Sequence, residues 1–219
     1  MTTPAGSGTS LLNTTGTLNS ANDRPEDGRR LKHRPLEVGK QVRFKPATAR
    51  TNPRAWLPAD VCDQIRDVTG GCAPWPMLYQ GGTGSGKTCA ALWITDFTRG
   101  QVRFLSFDRL CMEVTDAKRG ELRCAGSDAK ISPTQFWKEW GELELAVIDD
   151  LGTRDKASDA QYETLKLALD ERDGLPLILT SNLTLKKLIA LFDDRIGSRL
   201  SAGTVVEFPK KDHRRTNDA

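Results

Sequence analysis

Eight residues carry the strongest chemical signal in the chain. Gly81, Gly82, Thr83, Gly84, Ser85, Gly86, Lys87 and Thr88 satisfy GxxxxGK[ST] in full. Glycines at this density let the backbone turn tightly and aim successive N–H groups inward, where they can cradle phosphate oxygens. A helix opening at Lys87 would point its positive dipole end at the same place. The lysine ammonium would bridge β- and γ-phosphates, and the Thr88 hydroxyl would ligate Mg²⁺. ATP with Mg²⁺ is the ligand pair this spacing predicts. A chance glycine-rich turn fits poorly, because the apolar run PMLYQ (76–80) precedes the loop and the helical segment CAALWITDFT (89–98) follows it.

Two further apolar runs end in polar residues. LAVIDDLG (145–152) sets Asp149 and Asp150 at the end of a buried strand. In an open parallel sheet that end faces the ligand crevice, on the edge that also carries a phosphate loop. Asp149 would hold Mg²⁺ directly or through water, and Asp150 would orient or deprotonate the attacking water of ATP hydrolysis. Glutamate is usual at the second place, so the shorter aspartate predicts weak turnover. The bland alternative is a solvated strand terminus. LILTSN (177–182) brings Asn182 into position to sense the attacking water or the γ-phosphate. Ser181 and Asn182 could instead do no more than cap the following helix.

Holding three such segments on one edge requires strands that alternate with helices. Strands are expected at 76–80, 102–107, 145–150, 175–182 and 204–208, with a short helix near 58–68 and another from Asp108 toward Cys124. Ser132-Pro133-Thr134-Gln135 supplies an N-cap with proline at the first helical position, opening a helix to about Trp140. Ser158 to Gln161 forms a capping box, with Tyr162, Leu165 and Leu169 on one face of its helix. A last helix is expected from Thr184 to about Leu200. The pattern is that of an α/β three-layer sandwich with a parallel five-stranded sheet covered on both faces. One such domain would occupy 53–215, ahead of a short tail at 216–219.

Composition agrees with this division. The 219 residues are 37% hydrophobic, enough for one compact core. Residues 1–52 are rich in Thr, Ser, Asn, Gly, Pro and Arg and have no sustained apolar period, which predicts a disordered arm. The net charge is +3, yet residues 21–54 hold ten Lys or Arg against four Asp or Glu. An arm of that charge could reach nucleic-acid phosphates, or simply be a polar leader kept soluble. No apolar run approaches the roughly 20 residues of a membrane span, and no secretory signal opens the chain. The five cysteines (62, 72, 89, 111 and 124) are odd in number and never CxxC, so a reduced, cytoplasmic setting is expected, without zinc or disulfides.

Taken together, GGTGSGKT, LAVIDDLG, LILTSN, DDRIGSRL (193–200) and the terminal KKDHRR (210–215) resemble a DnaC-type helicase loader. The related IstB-like transposition ATPases share the same AAA+ core. The likeness covers roughly 75–215, and its more particular part is DDRIGSRL followed by a strand and Lys211-Asp212-His213-Arg214, with His213 at a usual tyrosine. It implies a P-loop NTPase core of the AAA+/ASCE type. It also implies that Arg195, and behind it Arg199, is an arginine finger for a neighbouring subunit's γ-phosphate, so that hydrolysis depends on nucleotide-dependent homo-oligomerisation. Either arginine could instead pair with Asp193 or Asp194 on an exposed helix. The resemblance further implies contact with single-stranded DNA from an extra helix within 108–142. Lys118, Arg119 and Arg123 are the candidates there, although Glu113, Asp116 and Glu121 interleave as on a solvated face. Trp137 and Trp140 read as core anchors rather than base-stacking platforms.

The protein partner that follows from the resemblance is a replicative helicase or, in the IstB-like case, a transposase. The arm is too polar and too rich in Gly and Pro for the folded module by which loaders grip a helicase. Two other functions stay open: an ATP-gated scaffold with little turnover, and a small-molecule kinase. The kinase would need an arginine-rich lid, for which Arg154 and Lys156 are poor substitutes.

Overall fold

The computed structural model describes residues 53–124, 128–152 and 156–213. The arm, Arg154, and Arg214 with the tail beyond it therefore lie outside the described residues. A 3-10 turn at Pro53–Ala55 leads into α1 (Ala59–Thr69). Five strands follow in alternation with helices: β1 (Met77–Gln80), α2 (Lys87–Phe97), β2 (Val102–Ser106), α3 (Phe107–Arg119), α4 (Pro133–Glu142), β3 (Leu145–Leu151), α5 (Asp159–Asp170), β4 (Leu177–Ser181), α6 (Leu185–Leu191), α7 (Asp194–Ala202) and β5 (Thr204–Glu207). The strands pair in parallel in the order β2-β3-β4-β1-β5.

The alternation of side chains along each strand builds two cores. Met77, Tyr79, Leu145, Val147 and Ile178 pack with Val61 and Val68 of α1 and Ala90 and Ile94 of α2. Their neighbours Leu78, Ala146, Ile148, Leu177 and Leu179 face the opposite way, against Leu110, Trp140, Leu165, Ile196 and Leu200 of the other helices. This is the expected three-layer sandwich. β1, β3 and β4 are buried almost throughout, as strands covered on both faces must be. Trp140 is fully buried and donates its indole N–H to Ala168 O at 3.2 Å, an anchor as expected.

Local capping sets several boundaries where the sequence placed them. Ser132 Oγ accepts from Gln135 N at 3.2 Å, with Pro133 opening α4. The Ser158–Gln161 capping box is complete at the start of α5. Two expectations are corrected. The helix from Asp108 does not reach Cys124: α3 stops at Arg119 because Gly120 adopts a left-handed conformation (φ 68°) and turns the chain. Leu122–Cys124 then pair back with Ala129–Ile131 around an antiparallel bridge between Arg123 and Lys130. The helix from Thr184 to Leu200 is two helices. Asp193 is extended and its carboxylate accepts from Ile196 N at 2.9 Å, so it caps α7 instead of continuing α6. The two helices fold against each other, and Gly197 permits this: a Cβ there would stand 2.5 Å from Ile189 Cγ1.

Glu113 and Arg172 are among the buried charges that were not foreseen. Glu113 lies in the interior, bonded to Arg103 and to Arg109 Nε (3.0 Å), and is no part of a solvated face. Arg172 is 1% exposed and donates to the carbonyls of Trp140 (2.8 Å), Leu143 (3.0 Å) and Pro176 (2.7 Å). It thereby ties the end of α4 to the turn that enters β4.

Candidate active site

β1 ends at Gln80, and the loop from Gly81 carries the chain to α2. Gly84 (φ 77°) and Gly86 (φ 93°) hold left-handed conformations that a side chain would strain, and Gly86 is also the N-cap of α2. Lys87, the first residue of the helix, is 6% exposed and folds back over the loop. Its Nζ donates to Gly81 O and Gly82 O, both at 2.8 Å, and to Asn182 Oδ1 at 2.9 Å. Asn182 immediately follows β4, the strand paired with β1, and the pairing of Gln80 with Ser181 is what brings it there. Ser181 does not cap α6, whose N-cap is Thr184; its hydroxyl donates to Leu151 O and accepts from Leu183 N. Gln80 Oε1 accepts from Leu185 N at 2.8 Å, tying the end of β1 to the start of α6.

The two aspartates diverge. β3 and β4 lose register between Ile148 and Leu151, and Asp150 sits at φ 59° within that irregularity. A positive φ costs a non-glycine residue roughly 1 kcal/mol or more, and such outliers concentrate at functional sites. The irregularity turns Asp149 inward and leaves Asp150 exposed. Thr88 Oγ1 donates to Asp149 Oδ1 at 3.0 Å, so the first helical turn and the strand end meet. Thr180 holds both aspartates: its hydroxyl donates to Asp149 Oδ1 at 2.5 Å and accepts from Asp150 N at 3.1 Å. The sequence assigns Thr180 no role, because it is one of two successive hydroxyls at the end of an apolar run.

Burial pushes the Asp149 carboxyl above the usual carboxylate range, with Asp150 adding to the rise and the Thr180 and Thr88 hydroxyls and Lys87 opposing it. An aspartate with a raised native pKa stabilises the fold only while protonated, and that contribution is lost as pH rises through the native value. Asp149→Asn keeps the acceptor for both hydroxyls and removes the buried charge. The nucleotide-free variant should therefore melt a few degrees higher than wild type at neutral pH, and the gap should close as pH falls into the acid range. Thermal melts of both proteins across pH check this.

The residues present fit ATP and a hard cation. Thr88 and Asp149 offer adjacent oxygens of the type Mg²⁺ prefers. Among the described residues no cluster of three His, Cys, Asp or Glu could hold a metal, so a cation here would complete its shell with phosphate oxygens and water. The structure thus gathers Lys87, Thr88, Asp149, Thr180 and Asn182 at one edge of the sheet.

The two arginines lie elsewhere. Arg195 is exposed in the first turn of α7, beside Asp193, which accepts from Tyr162 Oη at 2.8 Å. The Ile196 N–H holds the Asp193 carboxyl below its usual range. Arg199 bonds to Asp170 at the end of α5 and lines a cleft with Pro76 and Leu177, by the edge where strands begin. Its partner is Asp170, not Asp193 or Asp194.

This arrangement of sheet and helices recurs in solved structures. The DnaC helicase loader superposes with a TM-score of 0.52 at 17% identity over 77% of this chain and 94% of that one. Domain III of the Thermotoga maritima replication initiation protein DnaA gives 0.57 at 18%, over 78% of this chain and 70% of that one. The fold is the α/β one that these replication proteins share. A further neighbour, replication initiator DnaA bound to AMPPCP and single-stranded DNA, gives 0.51 at 20%, over 62% of this chain. This chain matches only 40% of the length of that DnaA. No family model and no curated protein matches the sequence. No helix among the described residues is long and apolar enough to cross a membrane.

Proposed function

We propose that this chain is a Mg²⁺-dependent ATPase of the helicase-loader type, which assembles on single-stranded DNA and assists replication by loading a replicative helicase. The observation that carries the ATPase reading is the hydrogen-bonded set joining three strand ends: Lys87 to Asn182, and Thr88 to Asp149 to Thr180. Lys87 exchanges its loop carbonyls for phosphate oxygens when ATP enters, and Asn182, already on Lys87, orients the γ-phosphate or the attacking water. Mg²⁺ held by Thr88 and Asp149 would neutralise charge on the β- and γ-oxygens. Asp150, turned outward, takes the proton of the attacking water. Arg195 of a neighbouring subunit supplies the remaining positive charge. Arg199 could do so only after leaving Asp170.

The DNA reading rests on α3 and the turn after it. Arg119 is exposed at the end of α3 and Arg123 is exposed in the bridged turn, while Lys118 lies 3.6 Å from Glu163. These cations would meet phosphates without reading sequence. Steady-state ATP hydrolysis with and without single-stranded DNA, at low and moderate salt, tests it. Stimulation by single strands that fades with salt is expected. Turnover indifferent to DNA would remove DNA-driven assembly and favour an ATP-gated scaffold, a reading the short Asp150 also supports.

A further inference from the structure

The two ends of the described domain meet on the phosphate loop. Trp56 lays its ring against Gly86, where a Cβ would stand 2.2 Å from a ring carbon. From the other end, Asp212 reaches Gly84 so closely that a Cβ would fall 1.9 Å from its Oδ1. His213 N–H donates to Gly84 O at 2.9 Å, and the His213 and Trp56 rings lie 5.1 Å apart. The nucleotide chemistry above uses none of these three residues.

We propose that Asp212 is a built-in competitor of the nucleotide's phosphates, and that nucleotide binding loosens the strap formed by Asp212, His213 and Trp56. This rests on the reading of Gly81–Thr88 as the ATP site. A loop whose N–H groups favour anions carries a carboxylate of its own chain against its backbone. A triphosphate entering the loop brings several negative charges next to that carboxylate, and like charges at such range repel strongly. Moving Asp212 aside strains the adjoining His213–Gly84 hydrogen bond and the ring contact with Trp56. By linkage, whatever holds the strap closed weakens ATP binding, and ATP binding weakens the strap to the same degree.

The test is calorimetric titration of the full chain with Mg·ATP, comparing wild type, Asp212→Asn, Asp212→Glu and Lys87→Ala. Asp212→Asn should bind about five- to tenfold more tightly than wild type, a gain that shrinks as salt screens the removed charge. Asp212→Glu, which keeps the charge, should bind like wild type. Equal or weaker binding by Asp212→Asn overturns the proposal while leaving the site intact. If wild type binds no ATP, or binds it as well as Lys87→Ala does, the nucleotide-site reading itself falls and the proposal with it. Melting temperatures of the four proteins establish that each is folded.

Discussion

Replacing Lys87 with alanine should lower ATP turnover by at least about a hundredfold, the usual scale for losing one preorganised donor to developing charge. Nucleotide binding should fall with it. The reason lies in what Lys87 already does: its Nζ is buried and held by two loop carbonyls and Asn182, so it is positioned before any ligand arrives. Little reorganisation is needed for those interactions to pass to phosphate oxygens. Alanine removes the charge and leaves the Gly81 and Gly82 carbonyls without their donor. Wild-type turnover in a Lys87→Ala protein that melts cooperatively would dismiss the phosphate loop as the site of chemistry.

Arg195→Ala should leave ATP binding unchanged and cut assembly-dependent hydrolysis by about a thousandfold, the lower end of what an arginine finger supplies. Arg195 is exposed, sits in the first turn of α7 and belongs to no part of the Lys87–Asp149 cluster. A side chain so placed can serve a neighbour's phosphate more readily than its own. Mixing gives the sharper measurement. Lys87→Ala retains its finger but not its nucleotide, and Arg195→Ala retains its nucleotide but not its finger. Each alone should be silent, and the mixture should recover part of the wild-type rate. A mixture as inactive as its components, from subunits shown to co-assemble, would rule out a finger acting between subunits.

Much of this was legible in the residues because the determinants are close in the chain. The phosphate loop is eight consecutive residues, and the Ser158–Gln161 capping box is formed within one helical turn. The buried strands could be recognised by their apolar runs. Helix ends were harder where a competing local structure existed. The DDRIGSRL segment keeps helical spacing, yet Asp193 caps a new helix because α6 and α7 fold back on each other across Gly197. Asp193 is a residue type that favours N-caps, but the fold-back that makes it one here is a packing outcome.

The sequence by itself determined the chemistry on offer: a phosphate cradle, a carboxylate pair and a polar strand end on one parallel sheet. Only the tertiary structure decided how these groups divide the work. The irregularity between Ile148 and Leu151 separates Asp149 from Asp150, and the Thr180 hydroxyl, from the adjacent strand, fixes both. Arg172 became an interior charge because the Trp140 and Leu143 carbonyls, distant in the chain, were there to receive it. Asp212 meets Gly84 from far along the chain because β5 runs beside β1 and delivers the segment after it to the loop. In each case the deciding contact joins residues far apart in sequence, so local periodicity and motif spacing hold no trace of it.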